Sequence, residues 1–489
     1  MTTLLRPFDS YKESENPRLG SIPSHWLVRR LRTVAQLRVS NVDKHSKKDE
    51  IPVRLCNYVD VYKNDHITDR LHFMRATATP EEIERFRLQL GDVLITKDSE
   101  AWNDIGVPAL VAHEAPDLVC GYHLAILRPD KSILTGGYLH RAHQAPCVAV
   151  QYHVAANGVT RYGLTQSAIK DLILPIPPLD EQAAIVRFLD HVDRKIRRFI
   201  QAKRRLIELL NEQKQAIINQ AVTRGLNPDV PLKPSGVDWL GEIPEHWEIV
   251  PLRLRYDQCL GKMVDAKRFT GAHPVPYLRN VDVQWDRINT LNLPLMDIAP
   301  HERDRFTVQP GDLLVCEGGD VGRCAFWDGD LPLCGFQKAL HRLRPLDSTR
   351  DHPRFLYYCM FNASKLKVFI ADGSENTIAH LTGVKLRAHR FAFPPANEQI
   401  LIASHLDNAT AEADAAIATV EQEISLLREY RTRLIADVVT GKLDVREAAE
   451  RLPMEMDQND AEAEPLDFDE TEEGDDEAAE LLSVVDDEG

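Results

Sequence analysis

The chain has 489 residues, enough for two to four domains, and 43% of them are hydrophobic, as in an ordinary globular protein. It has no run of 18 apolar residues and no apolar N-terminal segment of signal-peptide length, so we expect no membrane span and a cytoplasmic location. The net charge of −16 is concentrated at the C-terminus. Residues 455–489 contain 17 Asp and Glu and no Lys or Arg, whereas residues 1–454 contain 59 basic and 58 acidic residues. We therefore expect a disordered acidic tail on a nearly neutral body.

The first predicted domain covers residues 12–178. Short apolar runs bounded by Gly, Pro and Asp predict strands, and the clearest helical pattern covers 137–150. These elements are typical of a mixed α/β module with a curved sheet. Trp26 follows an Ile-Pro-Ser-His sequence and begins an apolar stretch, so we expect it to anchor the core.

A long helix is predicted next, over residues 179–226, because no proline or glycine interrupts it before Gly225. At 1.5 Å per residue, its uninterrupted part over about residues 180–223 would be roughly 60 Å long. Apolar residues step alternately by four and three along it, which is the pattern of a coiled-coil seam. The predicted seam consists of Ile185, Leu189, Val192, Ile196, Phe199, Leu206, Leu210 and Ile217.

The second half of the chain repeats the first. Residues 19–26 (LGSIPSHW) return as 240–247 (LGEIPEHW), and 177–182 (PPLDEQ) return as 394–399 (PPANEQ). Residues 91–94 (GDVL) return as 311–314 (GDLL). This period is far longer than that of a solenoid repeat, so it indicates a duplicated domain with its connector. We predict a second α/β module over 233–395, with its best helical pattern at 353–370 and Trp247 as its core anchor.

A second long helix is predicted over residues 396–445. Its seam consists of Ile402, Leu406, Val420, Leu427 and Leu434. The two helices have equal length and a module lies between them in the chain, so we expect an antiparallel coiled coil and a pseudo-two-fold arrangement. The expected fold class is α/β (α+β), with two similar modules separated by the helix pair. The basic run of the first helix can pair with acidic residues of the second, although contact with nucleic acid is the alternative.

The motifs of catalysis are missing from the sequence. It contains no G-x-G-x-x-G, no phosphate-binding G-x-x-x-x-G-K-[ST] and no N/D-P-P-Y/F signature of adenine methyltransferases. Cys316, Cys324, Cys334 and His341 lie close in sequence, but their spacing fits no familiar zinc site, so we expect buried thiols and no metal. The sequence predicts a non-catalytic protein without a cofactor of its own.

The order of the repeated motifs resembles the specificity (S) subunit of type I DNA restriction-modification systems. The residues that carry the resemblance are the doubled I-P-x-H-W, the G-D-V-L and G-D-L-L strands, the doubled P-P-x-x-E-Q, and the helix ends A-V-T-x-G-L and V-V-T-G-K-L. Each motif alone is weak, but their order, repeated twice over residues 12–445, is specific.

The resemblance implies that each module is a target recognition domain for one half of a bipartite, asymmetric DNA site. It implies that the helices set the gap between the halves and dock two copies of a modification subunit, which binds S-adenosylmethionine and methylates adenine. A restriction subunit powered by ATP and Mg is the further partner. Because the loops between the repeated motifs differ, we expect two different half-sites. A rod that holds both domains on one face implies that the half-sites lie about one helical turn, roughly 10 bp, apart.

Residues of the types that read bases or hold phosphates stand in the polar loops of both modules. In the first module they are Lys44, Lys47, Lys48, Lys97, Asn157, Thr160, Arg161 and Tyr162. In the second module they are Lys262, Lys267, Arg268, Asn376, Thr377 and His380. The alternative for each residue is an ordinary solvated loop. Two other functions stay open: a protein scaffold that does not bind DNA, and a nuclease or methyltransferase that acts alone.

Overall fold

The computed structural model describes residues 5–264, 269–370 and 380–453. The chain divides into two compact units, residues 1–204 with 421–489 and residues 205–420. Each unit contains one module and part of each long helix, and the helices pack together. The predicted mixed α/β fold with two similar modules is therefore confirmed. The predicted acidic tail lies outside the described residues.

Among its described residues, the first unit contains fifteen short strands and five short α-helices before the first long helix. Its strands are β1 Tyr11–Glu13, β2 Ser21–Pro23, β3 Leu27–Arg30, β4 Ala35–Val39, β5 Ile51–Cys56, β6 His66–Ile67, β7 Met74–Ala78, β8 Val93–Thr96, β9 Asp98–Ser99, β10 Pro108–Val111, β11 Leu118–Cys120, β12 Leu124–Pro129, β13 Asn157–Gly158, β14 Tyr162–Gly163 and β15 Ile173–Ile176. Its helices are α1 Tyr58–Tyr62, α2 Pro80–Phe86, α3 Gly136–Gln144, α4 Pro146–Ala155, α5 Gln166–Lys170 and the start of α6 Leu179–Arg224.

The central sheet of the first module has the order β4-β12-β8-β10-β6, and β5 pairs with β7 and β11 beside it. Strand β8 is buried along its whole length, as its continuous apolar run requires. The last strand β15 pairs with β3, so the module ends where it began. Strands β8 and β12 pair antiparallel, with Thr96 opposite Leu124. The segment 97–99 after β8 and the segment 121–123 before β12 therefore come together at one edge of the sheet.

The second unit repeats this plan. Its strands are β16 Leu232–Pro234, β17 Glu242–Pro244, β18 Glu248–Pro251, β19 Tyr256–Leu260, β20 Pro274–Leu278, β21 Val283–Gln284, β22 Arg287–Ile288, β23 Leu295–Asp297, β24 Leu313–Cys316, β25 Cys324–Phe326, β26 Gly335–Phe336, β27 Leu340–Pro345 and β28 Arg390–Phe393. Its helices are α7 Arg303–Phe306, α8 Pro353–Lys365, α9 Gly383–Ala388 and the start of α10 Ala396–Val439; α11 Arg446–Glu450 follows in the first unit. The central order is β19-β27-β24-β25, and β28 pairs with β18.

The predicted helix at 137–150 is two helices, α3 and α4, which meet at Ala145. Pro146 lacks the N–H that a continuing helix needs, so it begins a new helix. The pattern at 353–370 gives α8, which ends at Lys365.

Each tryptophan of the repeated I-P-x-H-W motif is buried, as predicted. The Trp26 indole donates to Glu181 Oε2 at 2.7 Å, and the Trp247 indole donates to Glu398 Oε1 at 3.1 Å. The neighbouring glutamines cap a turn of their own module: Gln182 accepts from the Thr135 N–H, as Gln399 accepts from the His352 N–H. The two repeated motifs therefore join the start of each long helix to its module.

The buried face of α6 follows an 11-residue repeat rather than the predicted heptad. Ile185, Ile196 and Ile218 are all buried and Ile207 is half-buried, whereas the predicted seam residue Phe199 is 58% exposed and its neighbour Ile200 is fully buried. The prediction was also wrong at Leu206, which is 44% exposed. The reason is geometric: a straight helix turns once per 3.6 residues, so a heptad seam drifts off the buried face while an 11-residue repeat stays on it.

The remaining predicted seam residues are buried or half-buried. The buried ones are Ile185, Leu189, Ile196, Ile402, Leu406, Val420 and Leu434, and the half-buried ones are Val192, Leu210, Ile217 and Leu427. The second helix also follows the 11-residue repeat, since Ile402, Ile424 and Ile435 are buried.

Ion pairs connect the two long helices within each unit. In the first unit Asp193 pairs with Arg431, and Lys203 pairs with Glu423 at 2.5 Å. In the second unit Lys214 pairs with Asp414 at 2.6 Å. In the first unit, positions rise along α6 from Asp193 to Lys203 as they fall along α10 from Arg431 to Glu423, so the helices pair antiparallel there.

Candidate nucleic-acid interface

Three segments of the first module meet where β8 ends and β12 begins. The Lys97 N–H donates to the His123 carbonyl at 3.0 Å, and the Leu164 N–H donates to the Lys97 carbonyl at 2.8 Å. Strand β14 pairs with β9, which sets Tyr162 opposite Ser99. We call this surface edge one. It is formed by Lys97, Asp98, Tyr122, His123, Arg161 and Tyr162.

The side chains of edge one form a stack over a carboxylate. Lys97 Nζ lies 2.6 Å and His123 Nδ1 2.9 Å from Asp98 Oδ2. The Lys97 ammonium also lies 5.0 Å from the centre of the Tyr122 ring, whose centre is 4.4 Å from that of His123. Burial by itself would raise the pKa of Asp98, but the hydrogen bonds from His123 and Lys97 outweigh it and lower the pKa. The carboxylate therefore stays ionised and holds both neighbours.

Arg161 stands on a tight hairpin above this stack. Gly158 pairs with Tyr162, so only three residues form the loop between them. A Cβ at Gly158 would lie 1.9 Å from the Arg161 carbonyl oxygen, so the turn requires glycine. Thr160 and Arg161 are exposed on this loop, while the Asn157 amide donates to its neighbour Ala155 O at 2.8 Å.

The corresponding edge of the second module has the same backbone contacts. The Glu317 N–H donates to the Ala339 carbonyl at 3.0 Å, and the Leu381 N–H donates to the Glu317 carbonyl at 2.7 Å. The Lys338 N–H donates to the Lys262 carbonyl at 3.0 Å. We call this surface edge two. It is formed by Lys262, Glu317, Gly318, Lys338, Ala339 and His380.

The backbone contacts align the two edges residue by residue and show different side chains on them. Glu317 stands in the place of Lys97, Gly318 in that of Asp98, and Ala339 in that of His123. The next residues in the alignment are Lys338 in the place of Tyr122 and His380 in that of Gly163. A Cβ at Gly318 would lie 3.1 Å from His380 Nδ1, so this glycine leaves room for the imidazole.

The basic candidates outside edge one lie on a separate loop. Lys44, Lys47 and Lys48 are exposed, and Lys47 Nζ pairs with Glu50 at 3.2 Å. In edge two, Lys262 Nζ pairs with Glu302 Oε2 at 2.6 Å. Lys267, Arg268, Asn376 and Thr377 lie outside the described residues.

Of the residues that form the two edges, the sequence predicted Lys97, Arg161, Tyr162, Lys262 and His380 as candidates, but not Asp98, Tyr122, His123, Glu317 and Lys338. The residues that were not predicted lie just after β8 or β24, or just before β12 or β27, and Lys97 lies next to β8 as well. The repeat aligns these strands in the sequence, so the residues next to their ends could have been identified from it. Strands paired in one sheet bring such flanking residues to one edge.

Within the described ranges there is no cluster of His, Cys, Asp and Glu able to hold a metal ion. All eight cysteines are free thiols, and burial raises the pKa of Cys316 to about 11 and of Cys334 to about 12. Such thiols are protonated at neutral pH and are poor nucleophiles and metal ligands. In this part of the chain, no helix has the length and hydropathy to cross a membrane.

Comparison with known proteins points to one family. Residues 23–209 and 261–426 match the model of the type I restriction modification DNA specificity domain. The specificity subunit named for the type I restriction enzyme MjaX of Methanocaldococcus jannaschii is 23% identical over 457 residues, which cover 90% of this chain and 97% of that protein. The specificity subunit of the EcoKI enzyme of Escherichia coli is 21% identical over 472 residues, which cover 91% of this chain and 95% of that subunit.

A solved structure shares the fold. It is described as "Structural basis underlying complex assembly and conformational transition of the type I R-M system". One of its chains superposes on this chain with a TM-score of 0.64 at 17% sequence identity. The match covers 86% of this chain and 99% of that one. Since the family model covers more than half of the sequence, this chain belongs to the type I restriction-modification DNA specificity family and is the non-catalytic DNA specificity subunit of such a system.

Proposed function

We propose that the chain reads a bipartite, asymmetric DNA site, one half with each module, and thereby directs adenine-N6 methylation and restriction by its partner subunits. Residues 12–178 read one half and residues 233–395 read the other. The observation that supports this most directly is the pair of edges: the same backbone contacts carry Lys97 in one module and Glu317 in the other. One scaffold with two side-chain sets suits two different half-sites.

The chemistry of the two edges favours different bases. Lys97 and Arg161 donate hydrogen bonds, as guanine O6 and N7 require in the major groove. Glu317 accepts hydrogen bonds, as the cytosine N4 amino group requires. Lys338 and His380 are exposed next to Glu317, so edge two combines an acceptor with cationic or neutral donors. A palindromic site would need two similar surfaces.

The remaining basic and polar candidates suit phosphate contacts, which position the protein without specifying sequence. We assign this role to Lys44, Lys47, Lys48, Asn157, Thr160, Tyr162 and Lys262, and extend it to Lys267, Arg268, Asn376 and Thr377. Each such lysine or arginine contact contributes to the salt dependence of binding, since it releases counterions from DNA.

The long helices, over 179–226 and 396–445, have the role of spacer and docking site in this proposal. Two copies of a modification subunit that binds S-adenosylmethionine dock here, and a restriction subunit that uses ATP and Mg joins them. The chain itself holds no cofactor and acts in the cytoplasm, where these partners meet DNA. A chain similar to this one comes from a structure described in terms of assembly of a type I R-M system, which supports this role.

Base-resolution mapping of adenine methylation tests the proposal in cells that express the modification subunit, with and without this chain. We expect a bipartite, asymmetric methylated motif that disappears when the gene is deleted. An unchanged methylation map, with the modification subunit present and active, would contradict the proposal.

A further inference from the structure

We infer that Arg161 is a base-reading residue of the first module, that it contacts a guanine through two hydrogen bonds, and that His123, held by Asp98, is its positioning residue. This inference rests on the proposed function, because it assumes that edge one faces DNA. It names one residue, one base and the contacts that connect them, none of which follows from membership of the family.

The position of Arg161 is fixed by its hairpin. The loop between Gly158 and Tyr162 has three residues, and β14 is itself paired with β9 next to Lys97. The Cα position of Arg161 is therefore tied to the end of β8 through the pairing of β13 with β14 and of β14 with β9. A side chain on such a loop loses less conformational freedom on binding than one on a flexible arm.

The guanidinium of Arg161 is oriented by the His123 ring. Nη2 lies 3.2 Å from both Nδ1 and Nε2 of the imidazole. The two nitrogens flank Cε1, so an Nη2 in the ring plane at equal distances would clash with Cε1; Nη2 therefore lies over the ring and not along one lone pair. This contact uses one of the two N–H groups of Nη2 and leaves the other N–H available, with its neighbour Nε or Nη1, as a two-donor fork. Among the described residues, no carboxylate forms an ion pair with Arg161, so the arginine is not committed to an acidic neighbour.

His123 is in turn held on two sides. Its Nδ1 lies 2.9 Å from Asp98 Oδ2, and its ring meets Tyr122 at an angle of 67°. Asp98 also binds Lys97 Nζ, so the carboxylate offsets the charge of one cation beneath the stack. The arrangement orients the arginine more than it adds positive charge. That is what base reading needs, since a phosphate contact depends on charge and tolerates loose orientation.

Guanine is the base that fits these donors. It alone presents two acceptors, N7 and O6, side by side in the major groove, and a guanidinium binds both at once. Lysine cannot replace arginine at such a contact, because its ammonium is a point charge without a fork of donors. The second module has Ala339 in the place of His123, so it lacks this device and must read its half-site differently.

The test is a set of single substitutions in the full chain, assembled with its modification subunit, with the methylated motif read at base resolution. For Arg161→Ala and Arg161→Lys we expect one guanine in one half-site to become degenerate, with discrimination there falling roughly 5- to 150-fold and the other half-site unchanged. The matched control is Arg30→Ala, which removes an exposed arginine at the end of β3 that pairs with Asp171. This variant should leave the motif intact.

His123 is tested with two replacements. His123→Ala should relax the same guanine position as Arg161→Ala, whereas His123→Phe keeps an aromatic face under the guanidinium and should retain the preference. A role in folding alone would move expression and overall activity of the alanine variant without selecting that one position.

Three outcomes would overturn the inference. The first is a motif that Arg161→Ala leaves unchanged at every position, and the second is a uniform loss of methylation without loss of sequence preference, which marks a phosphate contact. The third is equal behaviour of His123→Ala and His123→Phe. Failure of the proposed function looks different, since the unaltered chain would then direct no bipartite motif at all.

Discussion

The carboxylate of Glu181 accepts the indole N–H of Trp26 at 2.7 Å, and both side chains are buried. Its other oxygen lies 2.7 Å from His25 Nε2. A glutamate in the first turn of a helix is ordinarily explained by the helix dipole. Here it also joins two sequence motifs more than 150 residues apart, and Glu398 does the same for Trp247 in the second unit.

Removing this carboxylate should destabilise the first unit more than its counterpart destabilises the second. For Glu181→Ala we expect a loss of about 2 kcal/mol in the free energy of unfolding, because the Trp26 N–H stays buried without an acceptor. Glu398 is 30% exposed, so water can replace it and Glu398→Ala should cost less. Chemical denaturation of both variants measures this, and equal losses would show that burial of the carboxylate does not matter.

The 11-residue repeat of the first long helix predicts a large loss of stability at one residue and a small one at its neighbour. Ile200→Ala should cost about 3 kcal/mol of unfolding free energy, because it opens a cavity in a fully buried contact. Phe199→Ala removes a side chain that is 58% exposed and should change stability by no more than about 0.5 kcal/mol. Thermal unfolding of both variants measures the difference. A larger loss of stability for Phe199→Ala than for Ile200→Ala would support the heptad seam instead.

Asp193 is the centre of a buried ion network in the first unit. It contacts Arg141, Arg197 and Arg431, and only 7% of its side chain is exposed. Asp193→Ala should cost about 3–5 kcal/mol, since three arginines lose a shared buried partner. The exposed pair of Lys203 and Glu423 is the control, and Glu423→Ala should cost less than about 1 kcal/mol. Similar losses in urea denaturation would mean that the network is solvated.

The first unit should lose stability as the pH falls from 6.5 to 4. Burial lowers the pKa of His143 from 6.5 to about 4. Burial keeps the ring neutral in the fold, where Nδ1 donates to Leu139 O at 2.8 Å and Nε2 accepts from the Tyr152 hydroxyl at 2.9 Å. The unfolded chain therefore binds more protons in this range, and stability that is complete above pH 6.5 declines on acidification by about 3 kcal/mol.

The pH dependence can be assigned by substitution. His143→Gln removes the titrating group, so the decline in unfolding free energy between pH 6.5 and 4 should become shallower. His45→Gln changes an exposed histidine and should leave the slope as it is. Identical slopes for the two variants and the unaltered chain would refute the assignment.

Much of the architecture was predictable because it depends on local pattern and on the repeat. Strand sequences such as 91–94, the buried tryptophans and the uninterrupted helix from Leu179 all follow from residue type and spacing. The helix face was predicted less well. Heptad and 11-residue spacings agree over the first two turns and diverge by Phe199, so the correct period needs the packing partner to be known.

The candidate interface was only partly predictable, for a physical reason. Arg161 and Lys97 are residue types that bind nucleic acid, and their loops were identifiable. Their partners Asp98 and His123 become relevant only once β8, β12 and β14 bring three distant segments together. Sequence separation hides such contacts, and neither a carboxylate nor a histidine beside a strand indicates by itself which loop it will support.

The most direct test of the central claim is the methylation map of a chimaeric chain in which residues 233–395 replace residues 12–178, so that both modules carry edge two. Assembled with the modification subunit, this chain should methylate a motif whose two halves have the same sequence, namely the half read by the second module of the unaltered chain. A motif that keeps the original asymmetric pair of half-sites would contradict the claim that each module reads its own half.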